Sequence, residues 1–158
     1  MKIWTKYCIW RADQVIVADI SNLYNIDMKF GIYANQELPI PNIIRKYVGK
    51  DCAYYNCGVT LLDLNFWRKD NILDQCKSTL VENFNAFEPM YEYYIQGILN
   101  LVFLNRFGRI ENKYNYCPKY YKPRAIIYHW TGPKKLWNAM LNCHEIYKRY
   151  DVANISYK

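Results

Sequence analysis

The sequence predicts an α/β domain in which a mixed sheet is flanked by helices. Short apolar runs rich in β-branched and aromatic residues alternate with stretches whose apolar residues recur at helical spacing. One of these stretches, residues 93–104, is mostly apolar, which predicts a largely buried helix. With 158 residues and 52% hydrophobic content, the chain is long enough to bury a core as one domain over 1–158.

Four segments have the composition of strands. Each is short, rich in β-branched or aromatic residues, and bounded by residues that favour turns. The third is the most continuously apolar and is predicted to be central in the sheet, and the fourth is followed by a Thr-Gly-Pro turn. The predicted strands cover residues 13–18, 30–34, 59–64 and 125–128.

Other segments favour helix. Asp19 and Ser21 offer side-chain oxygens that cap the first helical turn, and Pro39 and Pro41 break the chain before the second helix. The later helices keep apolar residues on one face. The predicted helices cover 19–24, 42–48, 65–83, 93–104 and 136–150, and an extended segment covers 109–116.

The net charge of the chain and the length of its apolar runs indicate which classes of ligand or surface it can bind. The formal net charge is +7, which favours phosphate-bearing ligands or an anionic membrane surface. The basic residues are scattered, with no block of five or more, which argues against a nucleic-acid partner. No apolar run approaches the roughly 18 residues of a membrane span. Residues 1–15 contain four charged side chains and do not resemble a secretory signal, so we expect a cytoplasmic protein, peripheral at the membrane.

The six cysteines do not signal a metal or redox site. None of them forms a Cys-x-x-Cys pair, and several have apolar neighbours, which predicts small buried hydrophobic side chains.

The stretch 124–137 is the most informative. His129 falls where the last predicted strand becomes a loop, and open α/β sheets bind ligands at such strand ends. Gly132 allows a ligand to approach the backbone closely, and Lys135 adds a positive charge to the same loop. Together they favour a metal-bound diphosphate. Taken alone, the pattern is also typical of a rim histidine followed by a solvated loop.

This stretch resembles the His-x-x-Gly-x-x-Lys-Pro-Trp signature of family 8 glycosyltransferases, with Leu136 standing where the family has Pro. Four further segments resemble the family in the same order, and five ordered matches are far more specific than one. The matching positions are His129, Gly132, Lys135 and Trp137 in the signature, 19–27, 54–64 with Trp67 and Arg68, Gln96 with Leu99 and Asn100, and 113–115.

The resemblance implies a GT-A fold and the transfer of a hexose from a nucleotide-diphosphate sugar, UDP-hexose, with retention of configuration. The implied acceptor is a glycan or a lipid-linked acceptor, as in lipopolysaccharide biosynthesis. By position, Gln96 is the implied catalytic residue, near the anomeric carbon. The implied substrate-binding residues are Asn56, Gly58, Asn100, Gly132 and Lys135.

Taken singly, three of these residues also have structural interpretations. Asn56 would cap a turn, Gly58 would form a bulge, and Gln96 would be a solvated helix residue.

The resemblance also implies a divalent cation, usually Mn²⁺, held by an Asp-x-Asp motif and by the signature histidine. An ungapped alignment places Arg11, Ala12 and Asp13 on the motif, so that Asp13 and His129 are the predicted ligands. A gapped alignment uses Asp19 instead. Either way one carboxylate is lost, which is expected to weaken Mn²⁺ binding, and Arg11 is predicted to bind the diphosphate through its planar fork.

Two further departures from the family pattern shape the expectation. The first nucleotide-binding strands have no counterpart, so we expect an N-terminally truncated domain with an exposed sheet edge, covered by an oligomer or a partner chain. The acids that flank the glutamine in the family are replaced by Ile95 and Gly97. The alternative to an active hexosyltransferase is therefore a non-catalytic degenerate fragment, or a sugar-binding remnant of such an enzyme.

Overall fold

The computed structural model describes residues 5–36, 52–83, 94–118, 124–131 and 143–150. Strands and helices alternate along them, as predicted. In chain order the elements are β1 (Lys6–Trp10), β2 (Gln14–Ile16), α1 (Ser21–Tyr24), β3 (Ile32–Gln36), β4 (Tyr55–Asp63), α2 (Leu64–Lys69), α3 (Ile72–Glu82), α4 (Tyr94–Val102), β5 (Gly108–Arg109), a 3₁₀ helix (Asn112–Tyr114), β6 (Ile127–His129) and α5 (His144–Tyr150).

The chain divides into two compact units. The first contains Met1–Ile9 and Ile26–Ile110, and the second contains Trp10–Asn25 and Glu111–Lys158. The second unit is therefore built from two stretches that are distant in sequence. Among the helices that the structure describes, none has the length and apolar character needed to cross a bilayer.

The first unit contains a four-stranded mixed sheet, which confirms the predicted fold class. Its strand order is β1-β4-β3-β5. Strand β3 runs antiparallel to β4 and parallel to β5. Strand β4 lies inside the sheet, as predicted for residues 59–64, and begins earlier than predicted, at Tyr55.

The core of the first unit joins the sheet to α3, α4 and the turn that follows α4. Helix α4 buries one face and leaves Ile95 on the other face 75% exposed, so the predicted burial of 93–104 holds for one face. The buried residues of this core are Ile32, Ala34, Tyr54, Leu62, Ile72, Ile98, Leu99, Val102, Phe103 and Phe107.

The single helix predicted over 65–83 is wrong, because the structure has two helices there. Asp63 caps the first, since its Oδ1 accepts from the N–H groups of Asn65 at 2.9 Å and Phe66 at 3.1 Å. Asn71, with φ of 49°, lies in the left-handed region and separates α2 from α3. Asparagine tolerates this conformation better than most residues, which allows the break without glycine.

The extended segment predicted over 109–116 is also wrong in its middle. Only its start lies in β5, and residues Asn112–Tyr114 form the 3₁₀ helix. Gly108 of β5 lies so close to the Tyr33 ring that a β-carbon at this position would overlap it. Tyr116 makes an isolated parallel bridge to Tyr128.

The second unit contains the antiparallel pair β2–β6. Gln14 pairs with His129, Val15 with Tyr128, and Ile16 with Ile127. The predicted strand 125–128 is thus shifted toward the C-terminus, and His129 is the last strand residue. The core of this unit consists of Val15, Ala125, Tyr128, Trp130, Cys143 and Ile146.

The continuous helix predicted over 136–150 is wrong at Cys143, whose φ of 61° is incompatible with a right-handed helix. Helix α5 begins at the next residue. Residues 136–142 of that prediction, and the helix predicted over 42–48, lie outside the described residues.

Candidate active site

The register of β2 with β6 brings Asp13 beside His129. The Trp130 N–H donates to the Asp13 carbonyl oxygen at 3.1 Å, which continues the pairing beyond β2. The Asp13 Oδ1 atom lies 3.5 Å from His129 Nε2, and the two side chains are only 5% and 1% exposed. Two of the predicted metal ligands, from opposite ends of the chain, therefore share one buried position.

Asn115 orients the imidazole of His129. Its Oδ1 lies 2.8 Å from His129 Nδ1, and both side chains are buried. This contact holds the ring so that Nε2, the other ring nitrogen, is directed toward Asp13. Asn115 belongs to the matched segment 113–115, but no pattern in the sequence predicts its contact with His129.

Arg11 approaches the same carboxylate oxygen. Its Nε lies 3.4 Å from Asp13 Oδ1, and its side chain is 55% exposed. The backbone N–H of Arg11 donates to Gln14 Oε1 at 3.2 Å, which fixes the chain just before β2. The guanidinium and the carboxylate are of opposite charge, so their formal charges cancel.

Asp19 binds Ser21, the first residue of α1. Its Oδ1 accepts from the Ser21 N–H at 2.9 Å, and its Oδ2 accepts from the Ser21 hydroxyl at 2.6 Å. The hydrogen bond from the hydroxyl, followed by that from the N–H, holds the pKa of this exposed carboxyl below its usual value. His129 thus contacts Asp13, the ligand of the ungapped alignment, whereas both carboxylate oxygens of Asp19 bind Ser21. The metal-binding role of either aspartate stays a prediction.

The described residues do not complete a site for Mn²⁺. Hard cations prefer several oxygen ligands, whereas this position offers one carboxylate and one imidazole. Within the described stretches, no group of three His, Cys, Asp or Glu side chains could hold a metal ion. A cation beside Arg11 would be repelled, by roughly 4 kcal/mol per unit charge at about 4 Å and an effective dielectric constant of about 20. Mn²⁺ stays a prediction.

In the first unit, the side chain of Gln96 is fixed at both ends. Its Oε1 accepts from the Cys57 N–H at 3.0 Å, and its Nε2 donates to the Tyr54 hydroxyl at 3.0 Å. Tyr54 is completely buried, and Gln96 is half-buried, unlike a solvated helix residue. The first bond joins α4 to β4 and the second joins it to the residue before β4, so the orientation of this carboxamide is set before any ligand arrives. Tyr54 lies in the matched segment 54–64, and no pattern in the sequence predicts this contact with Gln96.

Asn56 and Gly58 lie at a bulge in β4. Ala34 pairs with Thr60, but the next residue of β3, Asn35, pairs with Asn56. The residues between them bulge out of the ladder, and Asn56 Oδ1 accepts from the Gly58 N–H at 2.9 Å. Bulges are common beside active sites because they redirect side chains. The bulge expected at Gly58 is thus seen, whereas Asn56 lies within β4 and not in a turn before it. The sugar-binding role of both residues stays a prediction.

The remaining predicted residues divide into two cases. Asn100 is buried and binds the backbone of Tyr55, so its observed contacts are structural, and its substrate-binding role stays a prediction. Gly132 and Lys135 lie outside the described residues.

A sequence model of the family described as glycosyl transferase family 8 matches residues 12–140, which is most of the chain. The chain belongs to glycosyl transferase family 8. The matched range includes the Asp13–His129 pair and the Gln96 site alike.

Two curated relatives support the family assignment. A Haemophilus influenzae protein named as a glycosyltransferase is 26% identical over 84% of this chain, and the Arabidopsis thaliana galacturonosyltransferase-like protein 4 is 23% identical over 80%. This family 8 chain spans 44% and 42% of the length of those relatives.

Solved structures show the fold. The galactosyltransferase LgtC, in complex with donor and acceptor sugar analogues, has a TM-score of 0.75 and 17% identity over all of this chain and 64% of LgtC. The glycosyltransferase GlyE of Streptococcus pneumoniae has a TM-score of 0.71 and 19% identity over 96% of this chain and 40% of GlyE. The fold of this family 8 chain is therefore the GT-A-like α/β fold that the sequence predicts.

Proposed function

We propose that this chain transfers a hexose from UDP-hexose to a glycan or lipid-linked acceptor with retention of configuration. Its membership of glycosyl transferase family 8 supports sugar transfer. LgtC, which has a similar fold, was solved with donor and acceptor sugar analogues, and this supports a donor site and an acceptor site here. With a lipid-linked acceptor, the chain works at the membrane surface.

The observation that carries the proposal is the fixed carboxamide of Gln96. Its Oε1 accepts from the Cys57 N–H of β4, and its Nε2 donates to the hydroxyl of Tyr54, the residue before β4. The bulge at Asn56 and Gly58 belongs to β4 as well. A fixed dipole is worth more to a reaction than a mobile one, because it needs no reorganisation when charge develops. We assign Gln96 to a position beneath the anomeric carbon of the donor sugar, near the acceptor.

In the reaction, the bond from the anomeric carbon to the diphosphate oxygen breaks, and its electron pair leaves with the diphosphate. Positive charge develops on the sugar ring, and the partial negative charge of a carboxamide oxygen stabilises it. An acceptor hydroxyl forms the new bond on the face that the diphosphate leaves, and its proton passes to the departing diphosphate. This order of events retains the configuration at the anomeric carbon.

A second candidate function is a sugar-nucleotide-binding remnant without transfer activity. It is favoured by Arg11, which stands at the first position of the Asp-x-Asp and pairs with the one carboxylate that remains. It is also favoured by the two apolar or small neighbours of Gln96, Ile95 and Gly97, which stand where the family has acids.

A release assay separates the two candidates. The purified chain is incubated with UDP-glucose or UDP-galactose, with and without glycan acceptors, and UDP is measured over time. We expect release above the protein-free rate, and we expect Gln96→Ala to reduce it by about 10²-fold, the usual loss when one preorganised transition-state contact is removed. Proton coupling at the anomeric carbon of the product reports retention.

Gln75→Ala is the matched control. Gln75 is an exposed glutamine on α3 of the same unit, and its Nε2 donates to the Asp70 carbonyl oxygen at 2.7 Å. Its replacement removes the same carboxamide but leaves β4 intact, so the rate of UDP release is expected to stay unchanged. Binding of UDP-hexose without any release would reject the transferase and support the remnant.

A further inference from the structure

We propose that the guanidinium of Arg11, held by Asp13, takes the place of a divalent cation in binding the donor diphosphate. Nucleoside diphosphate binding by this chain then needs no metal ion. The inference rests on the proposed nucleotide-sugar donor, and it concerns how the phosphates of that donor are held.

The first support is the way Arg11 is held. Its Nε contacts Asp13 Oδ1 at 3.4 Å, and the Asp13 side chain is 5% exposed. Within the described residues, this is the one ion pair of the Arg11 side chain, and no hydrogen bond to a described residue occupies its terminal nitrogens. Those two nitrogens form the fork that matches a pair of phosphate oxygens. With a side chain 55% exposed, Arg11 can present them to a ligand.

The second support is the charge at this position. Two carboxylates of an Asp-x-Asp carry two negative charges, which a divalent cation neutralises. Here the formal charges of Arg11 and Asp13 already cancel, so these two residues need no cation to balance them. The exposed guanidinium of Arg11 attracts a diphosphate. The same guanidinium repels a divalent cation that binds beside it.

The third support is the burial of Asp13. His129 approaches the same carboxylate oxygen at 3.5 Å, and Asn115 contacts the other side of the imidazole at 2.8 Å. The carboxylate beside Arg11 is only 5% exposed, so its attraction for the guanidinium is less screened than that of a surface pair. A preorganised guanidinium loses less conformational entropy on binding than a mobile one.

The first experiment measures UDP binding by calorimetry on the full chain, in EDTA and in MnCl₂. We expect the Kd of the unmodified protein to agree within about threefold between the two conditions. Arg11→Gln should weaken binding in EDTA by roughly tenfold or more, as expected for a lost charged hydrogen bond. Arg11→Lys keeps the charge but not the fork, so its Kd for UDP should lie between those of the unmodified protein and Arg11→Gln.

Arg68→Gln is the matched control. Arg68 is an exposed arginine on α2 of the first unit, and the substitution removes the same formal charge at a position outside the proposed site. Its Kd for UDP should equal that of the unmodified protein. Circular dichroism of each variant checks that the fold is kept, because Arg11→Gln leaves the buried Asp13 without its cation.

The second experiment reverses the exchange. Arg11→Asp restores two carboxylates, and it should acquire Mn²⁺ binding that electron paramagnetic resonance detects without any nucleotide. Mn²⁺ should also raise the melting temperature of this variant more than that of the unmodified protein. This readout does not depend on activity or on the donor.

The outcomes separate this inference from the proposed function. UDP binding that appears only with Mn²⁺, or that Arg11→Gln leaves unchanged, overturns the role of Arg11 while the donor proposal stands. Tight Mn²⁺ binding by the unmodified protein also overturns it. Failure to bind UDP under either condition overturns the proposed donor, and this inference with it.

Discussion

The side-chain carboxamide of Asn100 binds the backbone of Tyr55 as a neighbouring strand would. Its Oδ1 accepts from the Tyr55 N–H at 2.8 Å, and its Nδ2 donates to the Tyr55 carbonyl oxygen at 2.9 Å. The same Nδ2 also donates to the Gln96 carbonyl oxygen at 2.8 Å. Asn100 thus fixes α4 against the start of β4, and so it also sets the place from which Gln96 reaches the strand.

Replacing Asn100 by Ala should therefore destabilise the protein strongly. It would leave the N–H and carbonyl groups of Tyr55 without this partner, and each buried unsatisfied group costs about 1–3 kcal/mol. We expect a loss of about 2–4 kcal/mol in the free energy of unfolding, measured in urea. Asn65→Ala, at an exposed site on α2, should change it by less than about 0.5 kcal/mol. Equal effects of the two variants would contradict this account.

Gly108→Ala should be destabilising because of Tyr33. The two residues are paired in the parallel register of β3 and β5, and a β-carbon on Gly108 would overlap the tyrosine ring. The ring cannot move away easily, since its hydroxyl accepts from the Lys29 N–H at 2.9 Å. We expect a cost of about 1–3 kcal/mol, the usual range for overpacking.

A double-mutant cycle checks the cause. In a Tyr33→Leu background the aromatic ring is absent, so Gly108→Ala should cost much less than in the unmodified protein. An undiminished cost in that background would show that the ring is not the reason.

Asp63→Ala should remove the cap of α2. Two backbone N–H groups of the first turn lose their acceptor, and such substitutions typically cost about 1 kcal/mol of protein stability. Asp74→Ala is the control, because Asp74 makes an exposed ion pair with Lys77 at 2.9 Å, and exposed pairs contribute little. Chemical unfolding of both variants gives the comparison, and a larger effect at Asp74 would refute the capping role.

Periodicity and composition were sufficient to predict β2, β3, β4, β6 and the helices α1 and α4, but not β1 or the breaks within the other helices. The helical pattern of 65–83 continues across Asp70 and Asn71, and the break depends on one left-handed residue that tolerates that conformation. Cys143 is harder still, because cysteine carries no signal for a positive φ. In both cases the backbone conformation depends on packing against other parts of the chain, and a pattern of apolar residues does not predict that packing.

The sequence was sufficient to predict which residues belong to the candidate site, but not which of them contact one another. Matching to family motifs brought out Asp13, His129 and Gln96. The contact of Asp13 with His129 depends on the register of β2 with β6, and the attachment of Gln96 depends on a bulge in β4. Register and bulges are fixed by partner strands distant in sequence, so local patterns do not reveal them.

Lys135 carries a prediction that comes from the sequence alone. If it holds the diphosphate, Lys135→Ala should weaken UDP binding by about 1.5–3 kcal/mol, the range for a hydrogen bond to a charged group. The neighbouring Lys134→Ala removes the same charge one position earlier and should have a much smaller effect. Calorimetry that finds the two variants equal would remove Lys135 from the site.

The edge strand β1 predicts self-association. Among the described strands it lies at one end of the sheet, and Tyr7 and Ile9 are 56% and 40% exposed on it. Exposed apolar edges pair with other chains, and a lysine on such an edge opposes pairing. We expect concentration-dependent association in sedimentation velocity, reduced by Ile9→Lys.

Leu73→Lys places the same charge on α3, where Leu73 is 61% exposed, and it should leave association unchanged. A monomer at every protein concentration would contradict the prediction.

The second unit has a consequence for the order in which the protein forms. Strand β2 is synthesised early, but its partner β6 leaves the ribosome only after the whole of the first unit has been made. Until then Asp13 lacks the imidazole beside it, and β2 lacks the strand that pairs with it. Gln96, Tyr54 and Cys57 need nothing beyond Ile110. During translation, the contacts of Gln96 with Tyr54 and Cys57 can therefore form first. The Asp13–His129 pair forms later, when the two sequence-distant stretches of the second unit come together.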